Sequence, residues 1–293
     1  MLILGGSFFL SNAIYIWNDW FDAPLDALVE RIGNRPIPRG AVSPFDAAVF
    51  TTTQVVGAAL FLPYLSTSAA QSAIYALPGI ISYPWAKRHI DFPQAVLGFC
   101  MGWGVIMGSV AIGIKPVAMG VFGSCPKPRA EYSTMCLFSA DAVWPMIYDT
   151  IYARQDLKEE LKVGIKSLAV LYGDRTKVLL WQLLTLMITL LFTSGWLGAM
   201  GVPYFLVTVG GATMSIRLMI VRVDLDDTKS CWWWFSDGFW IVGGPIAGGL
   251  LAEYIHQNYL LYSIWIISLT CTETSVYKEC SSLDKMPDNR SIN

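Results

Sequence analysis

The chain has 293 residues, 54% of them hydrophobic and 14% charged, with a formal net charge of -2. A soluble domain carries about 25% charged residues, so this composition leaves too little polar surface to coat a water-soluble globule. No basic tract suggests nucleic acid as a partner, and none is expected; the two histidines exclude a histidine-rich metal centre, and six cysteines without a CxxC pair read as mostly reduced core fillers.

About 20 apolar residues in a helix cross a bilayer. Windows of that kind fall near 1–17, 45–64, 70–86, 93–113, 133–149, 176–196, 201–221 and 236–256. The predicted fold is therefore all-α, a polytopic bundle of about eight transmembrane helices in the lipid bilayer. The first run starts without the basic n-region of a signal peptide or the arginine-rich leader of a mitochondrial precursor.

That run gives out into Asn18-Asp19-Trp20-Phe21-Asp22-Ala23-Pro24-Leu25-Asp26. On a helix Asn18, Asp22 and Asp26 share one face, with Asp19 beside them. Pro24 removes a helical hydrogen bond, which puts Asp26 in a bent turn or at a loop start. Acids four apart on a helix repel one another unless something positive lies between them. Oxygen-rich clusters of this kind suit a hard divalent cation. The loop that follows holds Arg31, Arg35 and Arg39 among Pro and Gly, and guanidinium groups match phosphate oxygens in bidentate fashion.

The third span ends in Tyr83-Pro84-Trp85-Ala86-Lys87-Arg88, whose Lys87 and Arg88 would reach a diphosphate. The fifth ends in a second acidic cluster, from Asp149 to Glu160. If the helix continues, Asp149, Asp156 and Glu160 lie on one face, seven and four residues apart. Gly164-Ile165-Lys166-Ser167 reads as a turn leading to the next span, with Lys166 a phosphate ligand. Tyr83, Tyr148 and Tyr152 are candidates to line a substrate pocket beside these clusters, as are Tyr15, Trp85 and Trp103.

Basic residues gather on one side of the spans, and the positive-inside tendency makes that side cytoplasmic. Both acidic clusters fall on it. Trp232–Trp234 reads as an interfacial belt. Residues 1–256 are expected to form the membrane domain, and 257–293 a short apolar segment followed by a polar, disordered tail.

Asn18-Asp19-x-x-Asp22-x-x-x-Asp26, followed by Asn34-Arg35-Pro36-Ile37-Pro38-x-Gly40, resembles the first signature of the UbiA-type intramembrane prenyltransferases. Tyr148-Asp149-Thr150-Ile151-Tyr152-Ala153-x-Gln155-Asp156, running on to Gly164-Ile165-Lys166-Ser167, resembles the second. Tyr83-Pro84 through Lys87-Arg88, and Pro93-Gln94-x-x-Leu97-Gly98, fit the stretch between them. The resemblance runs from about Met1 to Tyr254. It is nearest to fungal enzymes that prenylate aromatic polyketides in meroterpenoid pathways and to the 4-hydroxybenzoate polyprenyltransferase branch.

The family pattern has nine spans, one of them before the first signature, so this sequence is expected to lack the family's first helix or to start too late to include it. Ala23-Pro24 stands where relatives have polar or charged residues, and Glu160 stands where Asp is more common.

The resemblance implies transfer of a prenyl group, expected to be farnesyl, from an isoprenoid diphosphate to an aromatic acceptor, with Mg2+ as cofactor. Metal ligands would be Asn18, Asp19, Asp22, Asp26, Asp149, Asp156 and Glu160, with Asp22 and Asp156 indispensable. Arg31, Arg35, Lys87, Arg88 and Lys166 would bind the diphosphate. The expected location is the endoplasmic reticulum, with the mitochondrial inner membrane as the alternative. Two competing classes are a transporter and an inactive paralogue. The first is disfavoured because the acids stand at span ends rather than in mid-bilayer.

Overall fold

A computed structural model describes residues 2–114 and 128–259, and within them the chain is helical, with no strand. Helix α1 covers Leu2–Asp26, α2 Pro44–Ala59, α3 Thr67–His89, α4 Pro93–Ala111 and α5 Pro128–Ala153. Two short helices follow, α6 (Leu157–Val163) and α7 (Leu168–Tyr172), and then α8 (Thr176–Leu197). A π-helical turn, Tyr204–Gly210, leads into α9 (Gly211–Arg222). The short α10 (Thr228–Ser236) precedes α11 at 238–259. The polar tail expected at 257–293 lies almost wholly outside the described residues.

Local chemistry sets the helix starts. Ser43 and Ser66 accept hydrogen bonds from the Asp46 and Ala69 amides and so cap α2 and α3, satisfying donors that the first turn leaves open. Pro44 and Pro93 begin α2 and α4, where a missing N–H costs nothing. Gly164 stops α6 with a φ of 79°, a left-handed conformation that glycine adopts without strain.

The eight long helices match the eight expected spans in position. Five are apolar enough to cross a membrane by composition alone, counting Pro44–Tyr64, Leu168–Leu197 and Thr228–Tyr259 each as one continuous stretch. Helices α1, α3 and α5 have the length, at 25, 23 and 26 residues, but they carry the polar side chains that the next subsection describes.

Small residues let the helices approach closely, as in other membrane bundles. A Cβ on Gly98 of α4 would lie 2.0 Å from the Ala142 carbonyl oxygen of α5, and one on Gly249 of α11 would lie 2.1 Å from Thr208 Oγ1. The principal core joins α5, α8, the π-turn, α9 and α11 around Ile147, Leu180, Met187, Tyr204, Ile216 and Met219. Helix α1 packs on α2 and α3, α3 on α4, α4 on α5, and α5 on α8. Large apolar side chains such as Phe45, Leu206, Trp240 and Leu251 are exposed on the outside. On a water-soluble monomer so much exposed apolar surface would be a liability; around a bundle of this length it is a lipid-facing belt.

Candidate active site

Helix α1 stays helical through Pro24, so Asp26 is its last residue and not part of a bent turn. The side chains of Asp22 and Asp26 are both buried. Acids crowded on one face need positive neighbours, and two other elements supply them. From the end of α3, Lys87 Nζ donates to Asp22 Oδ2 at 2.8 Å and to Asn18 Oδ1 at 3.2 Å. From the loop, Arg35 Nη1 donates to Asp19 at 2.9 Å and to Asp26 at 3.1 Å. Asp22 Oδ1 is buried with no hydrogen-bond partner among the described residues.

The second cluster departs from the continuous helix expected for it. Helix α5 ends at Ala153, a 3-10 turn covers Arg154–Asp156, and α6 starts afresh at Leu157. Asp149 and Asp156 therefore do not share the face of one helix. What holds them near each other is tertiary. Arg31 Nε donates to Asp156 Oδ1 at 2.8 Å and Arg31 Nη2 to Tyr152 Oη at 2.9 Å, with a further bond from Nη2 to Asp156 Oδ2. That bonding holds the Arg31 guanidinium above its ordinary range despite burial.

Asp149 lies near Gln94 and inside the field of Lys87. Gln94 Oε1 also accepts from the Leu168 amide at 3.1 Å, which pins α7 to α4. Glu160 accepts from Ser167 Oγ at 2.9 Å. Burial pushes its carboxyl up to about 7; Ser167 opposes the rise, and the charges of Asp149 and Asp156 add to it.

The two acidic clusters thus meet at one end of the bundle. Lys87 touches the first and acts on Asp149 and Glu160 of the second, and Arg31 reaches from the loop after the first to Asp156. Tyr83 lies beneath Lys87, with the ring centroid 5.0 Å from Nζ. Tyr152 pairs with Arg31 and with Phe235 of α10, at 4.5 Å between ring centroids.

Three expected residues sit elsewhere. Arg88 lies at 4.0 Å from Asp22 but donates to the Phe21 carbonyl at 2.9 Å and stacks on the Phe21 ring. Lys166 points outward to Asp91 at 3.4 Å, and only its backbone amide reaches the site, donating to the Lys87 carbonyl at 2.8 Å. Tyr148 is a core residue whose hydroxyl donates to the Gly238 carbonyl at 2.7 Å. Among the other aromatic candidates, Trp85 packs on Phe21 with centroids 4.3 Å apart, Trp103 bonds the Ser72 carbonyl, and Tyr15 is exposed.

The sequence reading assigned no role to Gln94, although it quoted the residue. It also missed Arg154, whose guanidinium bonds Gly173, Leu225 and Asp226 and steadies the 3-10 turn. A third omission corrects the statement that acids stand only at span ends, since Asp141 lies well inside α5. A single acid within an otherwise apolar window was the available signal.

Among the described residues no three acidic side chains converge closely enough to enclose a metal ion, because Lys87, Arg31 and Arg35 stand between them. The donor chemistry nonetheless fits a hard cation. Every candidate ligand is an oxygen, and Asp22 Oδ1 has an open coordination position.

An apolar helical bundle gathers opposed acids and interleaved cations at one end, and the proteins it is similar to make it an integral membrane prenyltransferase. The chain belongs to the UbiA prenyltransferase family, whose sequence profile matches residues 1–243. It is 33% identical over 252 residues to the mitochondrial 4-hydroxybenzoate polyprenyltransferase of Schizosaccharomyces pombe, covering 85% of this chain and 67% of that one. It is 34% identical over 261 residues to a UbiA prenyltransferase of Ampulloclitocybe clavipes, covering 86% and 78%. A DMOA farnesyltransferase of Aspergillus novofumigatus is 31% identical over 211 residues, covering 72% and 63%.

Two solved structures share the fold. The apo UbiA homolog of Aeropyrum pernix K1 superposes with a TM-score of 0.68 at 19% identity, over 86% of this chain and 88% of that one. A UbiA homolog of Archaeoglobus fulgidus bound to GPP and Mg2+ gives 0.58 at 15% identity, over 84% and 87%.

Proposed function

We propose that the chain transfers a prenyl group, farnesyl in the first instance, from an isoprenoid diphosphate to an aromatic acceptor, an aromatic polyketide of fungal meroterpenoid biosynthesis. The observation that carries this is Lys87 held between the acids of α1 and the field of Asp149, with Arg31 and Arg35 paired in the same way. Cations paired with carboxylates in this way are the groups a diphosphate would recruit. As they turn to its oxygens, the carboxylates of Asn18's neighbours Asp22 and Asp26, and of Asp149, Asp156 and Glu160, become free to hold Mg2+. The bound metal would supply charge neutralisation of the leaving diphosphate.

Lys87, Arg31 and Arg35 would stabilise the charge that develops on the departing oxygens, the kind of preorganised electrostatics that lowers such barriers most. Tyr83, beneath Lys87, would offer an aromatic face to the allylic cation in a site the helices shield from water. Residues 1–256 serve as the membrane domain. The site end faces the cytoplasm, by the basic residues gathered there, from the endoplasmic reticulum membrane.

A second reading, 4-hydroxybenzoate polyprenyltransferase in the mitochondrial inner membrane, is favoured by the likeness to the Schizosaccharomyces pombe enzyme. Membranes from a host expressing the chain, given farnesyl diphosphate, MgCl2 and either 4-hydroxybenzoate or a methylated dihydroxybenzoic acid, separate the two. Prenylation of the dihydroxy acid alone supports the first reading, and prenylation of 4-hydroxybenzoate alone supports the second. Turnover should stop with EDTA and return with Mg2+; turnover that persists in EDTA removes the metal from the account.

A further inference from the structure

Asp141 stands within the apolar part of α5, eight residues before Asp149, which is about 12 Å along the helix axis. It is half-buried and has no hydrogen bond or ion pair to any described residue. An ionisable side chain inside a membrane span normally faces the bundle interior and has a function or a partner. Among the described residues the Asp141 side chain has no such partner.

The neighbours on α5 show which way Asp141 faces. On one flank, Ala142 abuts Gly98 of α4, and Phe138 packs edge-on against Phe99 and Trp103 at 5.7 and 6.1 Å between ring centroids. On the other flank, Trp144 stacks on Phe239 of α11 at 4.5 Å. Asp141 falls between those two contact rows at 100° per residue, on the sector it shares with Tyr152. It therefore faces the gap between α4 and α11, walled by aromatic rings on both sides, on the membrane side of the site. Its oxygens are free, and a carboxyl in either protonation state accepts from a hydroxyl.

We infer that Asp141 is a specificity-determining residue that recognises the acceptor, its carboxyl accepting a hydrogen bond from a ring hydroxyl while the flanking aromatic side chains enclose the ring. This rests on the reading of the acceptor as aromatic. A site built to bond a hydroxyl discriminates strongly against an analogue that cannot donate.

The test uses membranes carrying the full chain, farnesyl diphosphate, MgCl2, 4-hydroxybenzoate, 2,4-dihydroxy-6-methylbenzoate and the mono-O-methyl ethers of the latter. In the unaltered protein, at least one ether should be used about ten- to a hundredfold less well than the dihydroxy acid. Asp141→Ala should raise the KM for the dihydroxy acid by about that factor and erase the discrimination, leaving the KM for farnesyl diphosphate unchanged within about twofold. Asp141→Asn, which keeps an accepting oxygen, should recover most of the loss.

Equal use of acid and ethers by the unaltered protein overturns the inference without reference to any variant. So does an Asp141→Ala enzyme with an unchanged acceptor KM, or one in which both KM values rise together and Asn does not rescue. Absence of any prenylated product overturns the aromatic-acceptor reading itself, and this inference with it.

Discussion

The two acidic clusters use the same residue types but are held together by different means. On α1, Asn18, Asp22 and Asp26 lie on one unbroken helix, so their spacing is fixed by backbone hydrogen bonds and Lys87 and Arg35 dock against them. After α5 the backbone breaks into a 3-10 turn. Asp156 is placed instead by Arg31 and Glu160 by Ser167. The first cluster is organised by local structure and the second chiefly by the bond between Arg31 and Asp156, 125 residues apart in sequence. Rigidity should therefore sit with the first and adjustability with the second.

The largest expected effect comes from removing the acids themselves. Asp22→Ala and Asp156→Ala should each lower kcat by about a hundredfold or more while leaving membrane insertion intact, measured by prenyl transfer beside a protease-protection assay. Full turnover in either variant would break the symmetry of the two clusters. Lys87→Met probes the joint between them. It leaves the buried Asp22 carboxylate unpaired, which should cost about 1–3 kcal/mol of stability and raise the KM for the diphosphate. A melting curve in detergent and a KM measurement read these two effects separately.

Arg31→Ala sharpens the comparison, because its contacts lie on the second cluster only. The Mg2+ concentration needed for half-maximal rate should rise several-fold, and stability should fall by about 1–3 kcal/mol, since the change leaves the buried Asp156 carboxylate without its partner. An equal effect from Arg35→Ala on the first cluster would argue against the difference in rigidity.

The last effect concerns pH and stability, not turnover. The Glu160 carboxyl is raised to about 7 in the folded state from an ordinary 4.5, so between those values the native state holds a proton that the unfolded state has lost. Stability should fall as pH rises through that window, by at most about 1.4 kcal/mol per pH unit. Glu160→Gln should flatten the slope in melting curves taken from pH 5 to pH 8; an unchanged slope would assign it to other groups.

Much of the fold was open to reading. Eight helical spans were legible because each must be long and mostly apolar, and the three that fell short of apolarity, α1, α3 and α5, are the ones that carry Asp22, Lys87 and Asp149 into the site. The acids of α1 were legible too, because helical periodicity maps spacing directly onto a face. Pro24 misled, since a proline in the final turn removes a bond without ending the helix. The second cluster misled for the opposite reason, as nothing in Tyr152-Ala153-Arg154-Gln155-Asp156 announces a 3-10 turn.

The sequence by itself determined that this chain is a membrane bundle with two acid-bearing helix ends and a basic loop between them, because composition and periodicity act over neighbouring residues. Only the tertiary structure decided which cation meets which acid. Lys87 goes to Asp22 rather than outward like Lys166, and Arg31 crosses to Asp156 while Arg35 stays with Asp26. Such choices depend on where helices far apart in the chain come to rest, and that is set by close contacts such as Gly98 against Ala142, which no local pattern encodes.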